Sequence, residues 1–138
     1  MEEETAMSTA IQLRTKSQKQ FVNITREVQS AVAESGVDTG ICVVYVPHTT
    51  AGVTVNEAAD PSVVDDAQNT LRELVPRTGN YSHAEGNSDA HIQTMMIGPS
   101  VSLIVEGGRL ALGTWQGVFF CEFDGPRSRT AKVQCVPG

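Results

Sequence analysis

Three histidines, His48, His83 and His91, are the residues of this 138-residue chain best suited to chemistry near neutral pH. Each stands in a segment rich in Thr, Asn, Asp and Gly, away from any apolar face. Three imidazoles and a water molecule can form the open tetrahedral site of a catalytic zinc ion. The histidines lack the close spacing of recognised metal motifs, however, so solvated or hydrogen-bonding histidines are the alternative.

A candidate anion site surrounds the first of these histidines. In residues 48–52 the hydroxyls of Thr49 and Thr50 stand between an imidazole and a glycine that permits a tight backbone turn. Such a segment offers several hydrogen-bond donors at close range and can hold an anion. A bulge within a pair of strands is an equally good interpretation of the same residues.

Arginines supply a second set of candidate anion ligands. Arg127 and Arg129 occupy alternating positions after a Gly-Pro turn, so in one strand they would face the same way. Together they could hold a phosphate group in a bidentate manner. Pairing with Asp124 or another surface acid is the alternative, and Arg109 is a weaker candidate of the same kind.

Several carboxylates lie near these segments, and any of them could bind a metal or transfer protons. Their spacing in the sequence does not single one out. They are Glu57, Glu85, Asp89, Glu122 and Asp124.

The composition argues against several classes of protein. The net charge is -6, and no cluster of Lys and Arg offers the positive charge that nucleic-acid phosphates require. No apolar run approaches the roughly 20 residues of a membrane helix, and the acidic amino terminus does not resemble a secretory signal. We therefore expect a cytoplasmic protein that binds neither nucleic acid nor membranes.

The three cysteines form no Cys-x-x-Cys pair and are predicted to be buried thiols.

The chain is long enough for one domain, and no repeat or linker divides it. Residues 1–8 are predicted to form a loose tail, and residues 9–138 a single domain. Residues 41–46 form a continuous apolar run, which is typical of a strand covered on both faces. Further strands are expected at residues 9–15, 53–57, 91–97, 101–105, 110–123 and 130–136, and a break near Gly113 or Gly117 is an alternative within residues 110–123.

Two helices are expected. The first spans residues 25–35 and ends at Gly36. The second begins at residues 60–61, where an aspartate that can cap the helix precedes a proline, and ends before Pro76. The polar residues 76–89 are then predicted to form a long loop. The apolar stripe of the second helix consists of Val64, Ala67, Leu71 and Leu74.

Taken in order, these motifs resemble the YjbQ-like family, whose members are also called secondary thiamine-phosphate synthases. Each motif is weak alone, but the ordered set is specific and covers most of the chain. The matching stretches are VPHTTAG at 46–52, NEAADP at 56–61, YSH at 81–83, NSDAH at 87–91, GRL at 108–110, LGTWQ at 112–116 and EFDGPRSR at 122–129.

The resemblance implies an α+β fold, an antiparallel β-sandwich with two helices, assembled as a homotrimer. It also implies a polar pocket near a subunit boundary into which His48, His83 and His91 point, with a divalent metal such as zinc or magnesium. The implied activity joins a pyrimidine methyl diphosphate to a thiazole phosphate and releases pyrophosphate.

Such a reaction requires the protein to neutralise a departing pyrophosphate, for which Arg127, Arg129 and a divalent cation are suitable. His48 or His91 could protonate the leaving oxygen, and Glu122 completes the predicted catalytic set. The main alternative is a non-catalytic trimer that binds a metal or small anion. A third interpretation is a structural trimer whose histidines only join the subunits.

Overall fold

The computed structural model describes residues 8–138, which form two antiparallel β-sheets and three helices. The predicted tail, apart from Ser8, lies outside the described residues. The helices are α1 (Thr25–Ser35), α2 (Pro61–Leu74) and α3 (Ser88–Ile97). The strands are β1 (Thr9–Arg14), β2 (Gln20–Asn23), β3 (Gly40–Tyr45), β4 (Ala51–Glu57), β5 (Ser100–Glu106), β6 (Arg109–Leu110), β7 (Gln116–Glu122) and β8 (Ser128–Pro137).

The larger sheet has the strand order β1-β8-β3-β5-β6, and the smaller sheet has the order β2-β7-β4. Their inner faces form one hydrophobic core, to which the larger sheet contributes Val44 and Val133 and the smaller sheet Val53 and Phe120. Because side chains alternate between the two faces of a strand, every second residue of these strands reaches this core. The predicted α+β fold built on an antiparallel sandwich is confirmed.

Helix α1 has the predicted bounds. The Asn23 side-chain oxygen accepts a hydrogen bond from the Thr25 N–H at 3.0 Å, which satisfies one of the free donors at the helix start. Gly36 ends the helix in the left-handed conformation, with φ 73°, where glycine avoids the steric cost of a Cβ atom. Between these ends, Val28 and Val32 are fully buried in the core.

Helix α2 also begins as predicted but packs loosely. Asp60 accepts a hydrogen bond from the Ser62 N–H at 3.0 Å, and Pro61 is the first helical residue. Of the α2 residues only Leu71 is buried, whereas Leu74 is 65% exposed. The predicted stripe is therefore packed at Leu71 but not at Leu74.

Residues 91–97 are helical rather than extended, so the predicted strand there is wrong and the chain has a third helix. The inner side of α3 is mostly polar, since Asp89, Gln93 and Thr94 are buried there together with Ala90. Its exposed residues include Ile92, 36% exposed, and Met95, 79% exposed. Because this arrangement reverses the usual amphipathic pattern, periodicity gave no helical signal.

Strand β3 is covered on one face only, in contrast to the prediction. Cys42 and Val44 point into the core, but Ile41 and Tyr45 are each 47% exposed on the outer face of the large sheet. A continuous apolar run is normally covered on both sides. The outer face of β3 is therefore an apolar surface that nothing in the described chain covers.

All three cysteines are buried, as predicted. Cys42 on β3 lies directly opposite Cys135 on β8, and burial raises the pKa of the Cys42 thiol to about 12. Burial also raises the pKa of the Cys121 thiol. At neutral pH the Cys42 and Cys121 thiols are thus protonated parts of the core, and such thiols are poor nucleophiles.

Candidate functional site

A buried ion pair closes one end of the sandwich. Glu122 continues the inward-facing series of β7, and Arg129 begins the inward-facing series of β8, so the two side chains meet between the sheets. Glu122 is completely buried and Arg129 is 5% exposed. Both residues belong to the predicted site, and the fold brings them together.

Both oxygens of the Glu122 carboxylate accept hydrogen bonds. Arg129 donates to them through Nε, at 2.8 Å, and through Nη2. The Thr15 hydroxyl donates at 2.7 Å and the Asp124 N–H at 2.9 Å. Arg129 Nη2 also donates to the hydroxyl oxygen of Thr50 at 2.8 Å. This network ties together the ends of β1 and β7 and the starts of β4 and β8.

In this conformation the network occupies the polar groups of Glu122 and Arg129, for which catalytic and anion-binding roles are predicted. Burial alone would raise the pKa of the Glu122 carboxyl, but the hydrogen bonds from Arg129, Asp124 and Thr15 together hold that pKa below its ordinary value. A charged, fully hydrogen-bonded carboxylate with no exposed surface has no access to a substrate in this conformation. The positive charge of Arg129 is neutralised in the same way.

Arg127 and Arg129 do not face the same way, so the predicted phosphate clamp is not formed within one chain. Strand β8 begins only at Ser128, so Arg127 lies in the preceding turn. Its guanidinium remains 54% exposed and binds Asp124 at 2.9 Å. Asp124 also accepts a hydrogen bond from the Asn87 amide at 2.9 Å. The chain of contacts from Arg127 thus leads to the start of α3.

His48 makes a backbone contact at the end of the large sheet. Its Nε2 accepts a hydrogen bond from the Thr130 N–H at 3.1 Å, just beyond the point where β3 stops pairing with β8. Burial and the nearby Arg129 charge lower the pKa of His48. The ring is therefore neutral at neutral pH, with its proton on Nδ1. In the described chain the Thr130 N–H therefore occupies the Nε2 lone pair of His48 at the end of the β3–β8 ladder.

His83 and His91 lie together in an open cavity. Their ring centroids are 5.3 Å apart and the rings are perpendicular. The cavity has a volume of about 460 Å³ and is lined by residues of the long loop and of α3, including Tyr81, Ile92 and Met95. His83 Nε2 is also 3.4 Å from the Glu85 carboxylate, which is exposed. An imidazole from the loop and one from α3 therefore share one water-accessible space.

The third predicted metal ligand, His48, does not line this cavity. Among residues 8–138 no three His, Cys, Asp or Glu side chains are arranged to hold a metal ion. The pair His83 and His91 can supply two nitrogen ligands, and any further ligand would come from water, substrate or another subunit.

The remaining predicted residues are dispersed. Thr49 is exposed beside His48, whereas Thr50 is buried under Arg129. Arg109 is exposed on β6, beside the end of the large sheet where β3 begins, and His48 follows the opposite end of β3. The resemblance motif at residues 108–110 is therefore remote from the histidines within one chain.

Sequence reasoning missed a buried lysine. Lys19 is 6% exposed, its ammonium donates a hydrogen bond to Gln93, and it lies 5.8 Å from the centre of the Phe123 ring. Burial, followed by the nearby Arg72 charge, lowers the pKa of Lys19 to about 8, although Asp89 acts in the opposite direction. No motif marked this residue, because its partners come from the segment after β7 and from the unpredicted helix α3.

We expect Lys19→Met to raise the free energy of unfolding at pH 7 by at most about 1 kcal/mol. The variant removes a buried, partly compensated charge, but it also leaves the side-chain oxygen of Gln93 without its donor. Wild-type stability should rise between pH 8 and 10.5, where the unfolded chain binds a proton at Lys19 that the folded chain does not. The advantage of the variant should therefore shrink across this range. Urea denaturation of both proteins at several pH values measures this difference in the free energy of unfolding. A difference that does not change with pH would contradict the account.

Comparison with known proteins places the chain among relatives of similar length. Residues 9–138 match the family model described as UPF0047 protein YjbQ-like. A UPF0047 protein of Methanocaldococcus jannaschii is 51% identical over 125 residues, which are 91% of this chain and 91% of the relative. The UPF0047 protein YugU of Bacillus subtilis is 45% identical over 131 residues, covering 94% of this chain and 99% of the relative.

Solved structures agree with the fold. The crystal structure of a YjbQ/UPF0047 family protein of Clostridium acetobutylicum matches with a TM-score of 0.92 and 49% identity, covering 93% of this chain and 99% of that one. A protein of unknown function from Sulfolobus solfataricus matches with a TM-score of 0.92 and 30% identity, covering 96% and 98%. In the part of this chain that the structure describes, none of the helices is long and apolar enough to span a membrane. Because its sequence and fold match over nearly the whole length, the chain belongs to the UPF0047 YjbQ-like family.

Proposed function

We propose that the protein is a small-molecule transferase of the thiamine-phosphate-synthase type. In this reaction a thiazole nitrogen forms a bond to the methylene carbon of a pyrimidine methyl diphosphate. The bond from that carbon to the diphosphate oxygen breaks, and pyrophosphate leaves with the electron pair. The observation that carries the proposal is the pair of imidazoles, His83 and His91, in an open cavity.

The protein's contribution would be to neutralise the leaving group and protonate it. His91 is half-buried on α3 and His83 is exposed on the loop, so both can contact a ligand in the cavity. Arg127 is connected to this side of the molecule through Asp124 and Asn87, and its exposed guanidinium can bind a phosphate oxygen. A divalent cation held by His83 would supply further positive charge and would leave His91 free to donate a proton.

We also propose that the protein is a homotrimer. One exposed apolar surface, the outer-sheet patch, consists of Ile41, Tyr45, Ile104 and Val136. In the sheet Ile41 pairs with both Ile104 and Val136, so these side chains are contiguous. A second surface, the α3 ridge, consists of Ile92, Met95 and Met96. Two different apolar surfaces on each subunit suit a closed ring in which the patch of one copy covers the ridge of the next.

Such a ring would complete the cavity. Ile92 and Met95 belong to the α3 ridge and also line the space that holds His83 and His91. A neighbouring subunit seated on the ridge would therefore add a wall to the cavity and could add ligands to the imidazole pair.

Ile41→Glu is expected to dissociate the trimer, because it introduces a charge into the centre of the outer-sheet patch, between Ile104 and Val136. The mass measured by light scattering should fall from about three subunits to one at micromolar concentration. Val63→Glu is the control, since Val63 is 38% exposed on α2, outside both surfaces. A wild-type protein that is monomeric at high concentration would refute the proposed assembly.

A non-catalytic module that binds a metal or small anion is the second candidate. One observation favours it. The buried acid Glu122 and the base His48 are committed to structural contacts. The carboxylate beside the imidazole pair, Glu85, is 3.4 Å from His83 Nε2 but is exposed, so packing does not fix its orientation.

The direct experiment incubates the purified protein with the two phosphorylated heterocycles, with and without magnesium or zinc, and measures the coupled product and pyrophosphate. Formation of both in equal amounts supports the transferase. If no product forms while metal or pyrophosphate raises the melting temperature, the binding module is correct.

A further inference from the structure

A second cavity lies between α2 and the small sheet. It has a volume of about 410 Å³, within the range of sites for small ligands. One wall is the loosely packed apolar stripe of α2, formed by Val64, Ala67 and Leu71. The other wall is formed by Phe21 and Phe119 from the sheet and by Ile97 at the end of α3.

The cavity is built into the fold. Leu71 and Phe119 belong to a buried cluster against which Phe21, Val64 and Ile97 pack, so the walls are held in place from behind. The two phenylalanines on one wall suit a flat ring, because aromatic rings attract one another beyond the effect of their buried area. The shape and chemistry of the cavity therefore favour an aromatic ligand over a flexible chain.

The rim of the cavity is acidic. Glu57 from β4 and Asp66 from α2 both line it, and no Lys or Arg is among its lining residues. Asp66 is exposed, and the Glu57 carboxylate accepts a hydrogen bond from the Asp60 N–H at 3.2 Å. A ligand with a positively charged group would meet two carboxylates, whereas an anionic ligand would be repelled.

We propose that this groove binds a small aromatic or heteroaromatic molecule that carries a cationic amino or amidinium group. The ring lies between the α2 stripe and the two phenylalanines, and the cation faces Glu57 and Asp66. The site uses none of the residues assigned to the proposed reaction, so the two proposals are tested independently.

The test uses three probes with the same ring and different charge: benzamidine, benzamide and benzoate. In titrations followed by amide NMR, benzamidine should shift the amide signals of Thr54, Ile97 and Phe119, with a Kd of about 1 mM, as expected for a fragment-sized ligand. Benzamide should bind about two- to fivefold more weakly, as expected for the loss of an exposed ion pair, and benzoate more weakly still. Absence of benzamidine binding, or benzoate binding as tight as benzamidine, would overturn the proposal.

Variants locate the site. Ala67→Trp should fill the groove and abolish these shifts, and Thr70→Trp provides a second filling variant if the first does not fold. Asp66→Asn should weaken benzamidine about two- to fivefold and leave benzamide unchanged. Asp65→Asn is the matched control, because Asp65 is the adjacent exposed acid and does not line the cavity. Benzamidine binding that survives a folded filling variant, or that responds equally to both aspartate changes, would refute the assignment.

Discussion

Replacing Arg129 by methionine should lower the free energy of unfolding by about 3 to 5 kcal/mol at pH 7, the largest effect on stability that we expect from a single substitution in this chain. The variant leaves the Glu122 carboxylate buried without its counter-ion, and only Thr15 and the Asp124 N–H still donate to it. Chemical denaturation measures the change. Arg127→Met is the control, because the Arg127 side chain is 54% exposed and its pair with Asp124 should contribute at most about 1 kcal/mol.

The pH dependence identifies the cause of the loss. In the wild type the pKa of Glu122 is lower than the ordinary value of 4.5. This difference adds to the free energy of unfolding above pH 4.5, and the contribution is lost as the pH falls further. Without Arg129, burial should raise that pKa, so the variant should become more stable as the pH falls toward 4.5. The difference between the two proteins should therefore narrow on acidification. The double variant Glu122→Gln, Arg129→Met should regain part of the loss at pH 7, and a double variant no more stable than the single one would contradict the account.

His91→Ala should reduce product formation about 100-fold or more if the proposed transferase reaction is correct, because a positioned general acid typically contributes a factor of this size. The melting temperature should change little, since the ring stands in an open cavity and is only half-buried. The rate of pyrophosphate release at saturating substrate measures the effect.

His48→Gln is the matched control, since it removes an imidazole at another place in the fold. The glutamine oxygen can accept the Thr130 N–H in place of Nε2, so at most a few-fold loss of activity is expected. If His48→Gln were the more damaging substitution while both variants remained folded, the catalytic centre would lie at the end of the sandwich instead of on α3.

Much of the fold could be predicted because it depends on local signals. The pair Asp60 and Pro61 determines where α2 begins, and Gly36 determines where α1 ends. Helix α3 could not be predicted in this way, because a helix is recognised by an apolar stripe and the buried face of α3 carries the polar residues Asp89 and Gln93. Their partners, among them Lys19, lie far away in the chain, so the sequence pattern contains no apolar stripe.

The site shows the same division. The residue types that could do chemistry were visible in the sequence, but their grouping depends on strand bounds and on the face each residue occupies. A single position decides that Arg127 is exposed and Arg129 buried, because β8 begins between them. The pairing of Glu122 with Arg129 requires two sheets to meet, and the separation of His48 from His83 and His91 depends on α3. The periodicity of the sequence does not show which of these side chains lie close together in the fold.

The most direct test of the account follows the three histidine rings while pyrophosphate is added to the protein. Ring signals assigned by NMR in isotope-labelled protein report each imidazole separately, and pyrophosphate represents the proposed leaving group. We predict that the signals of His83 and His91 shift together with one binding constant, whereas those of His48 stay in place because its ring is held by Thr130. Shifts confined to His48, with the His83 and His91 signals unchanged, would contradict the assignment of the ligand site to the cavity beside α3.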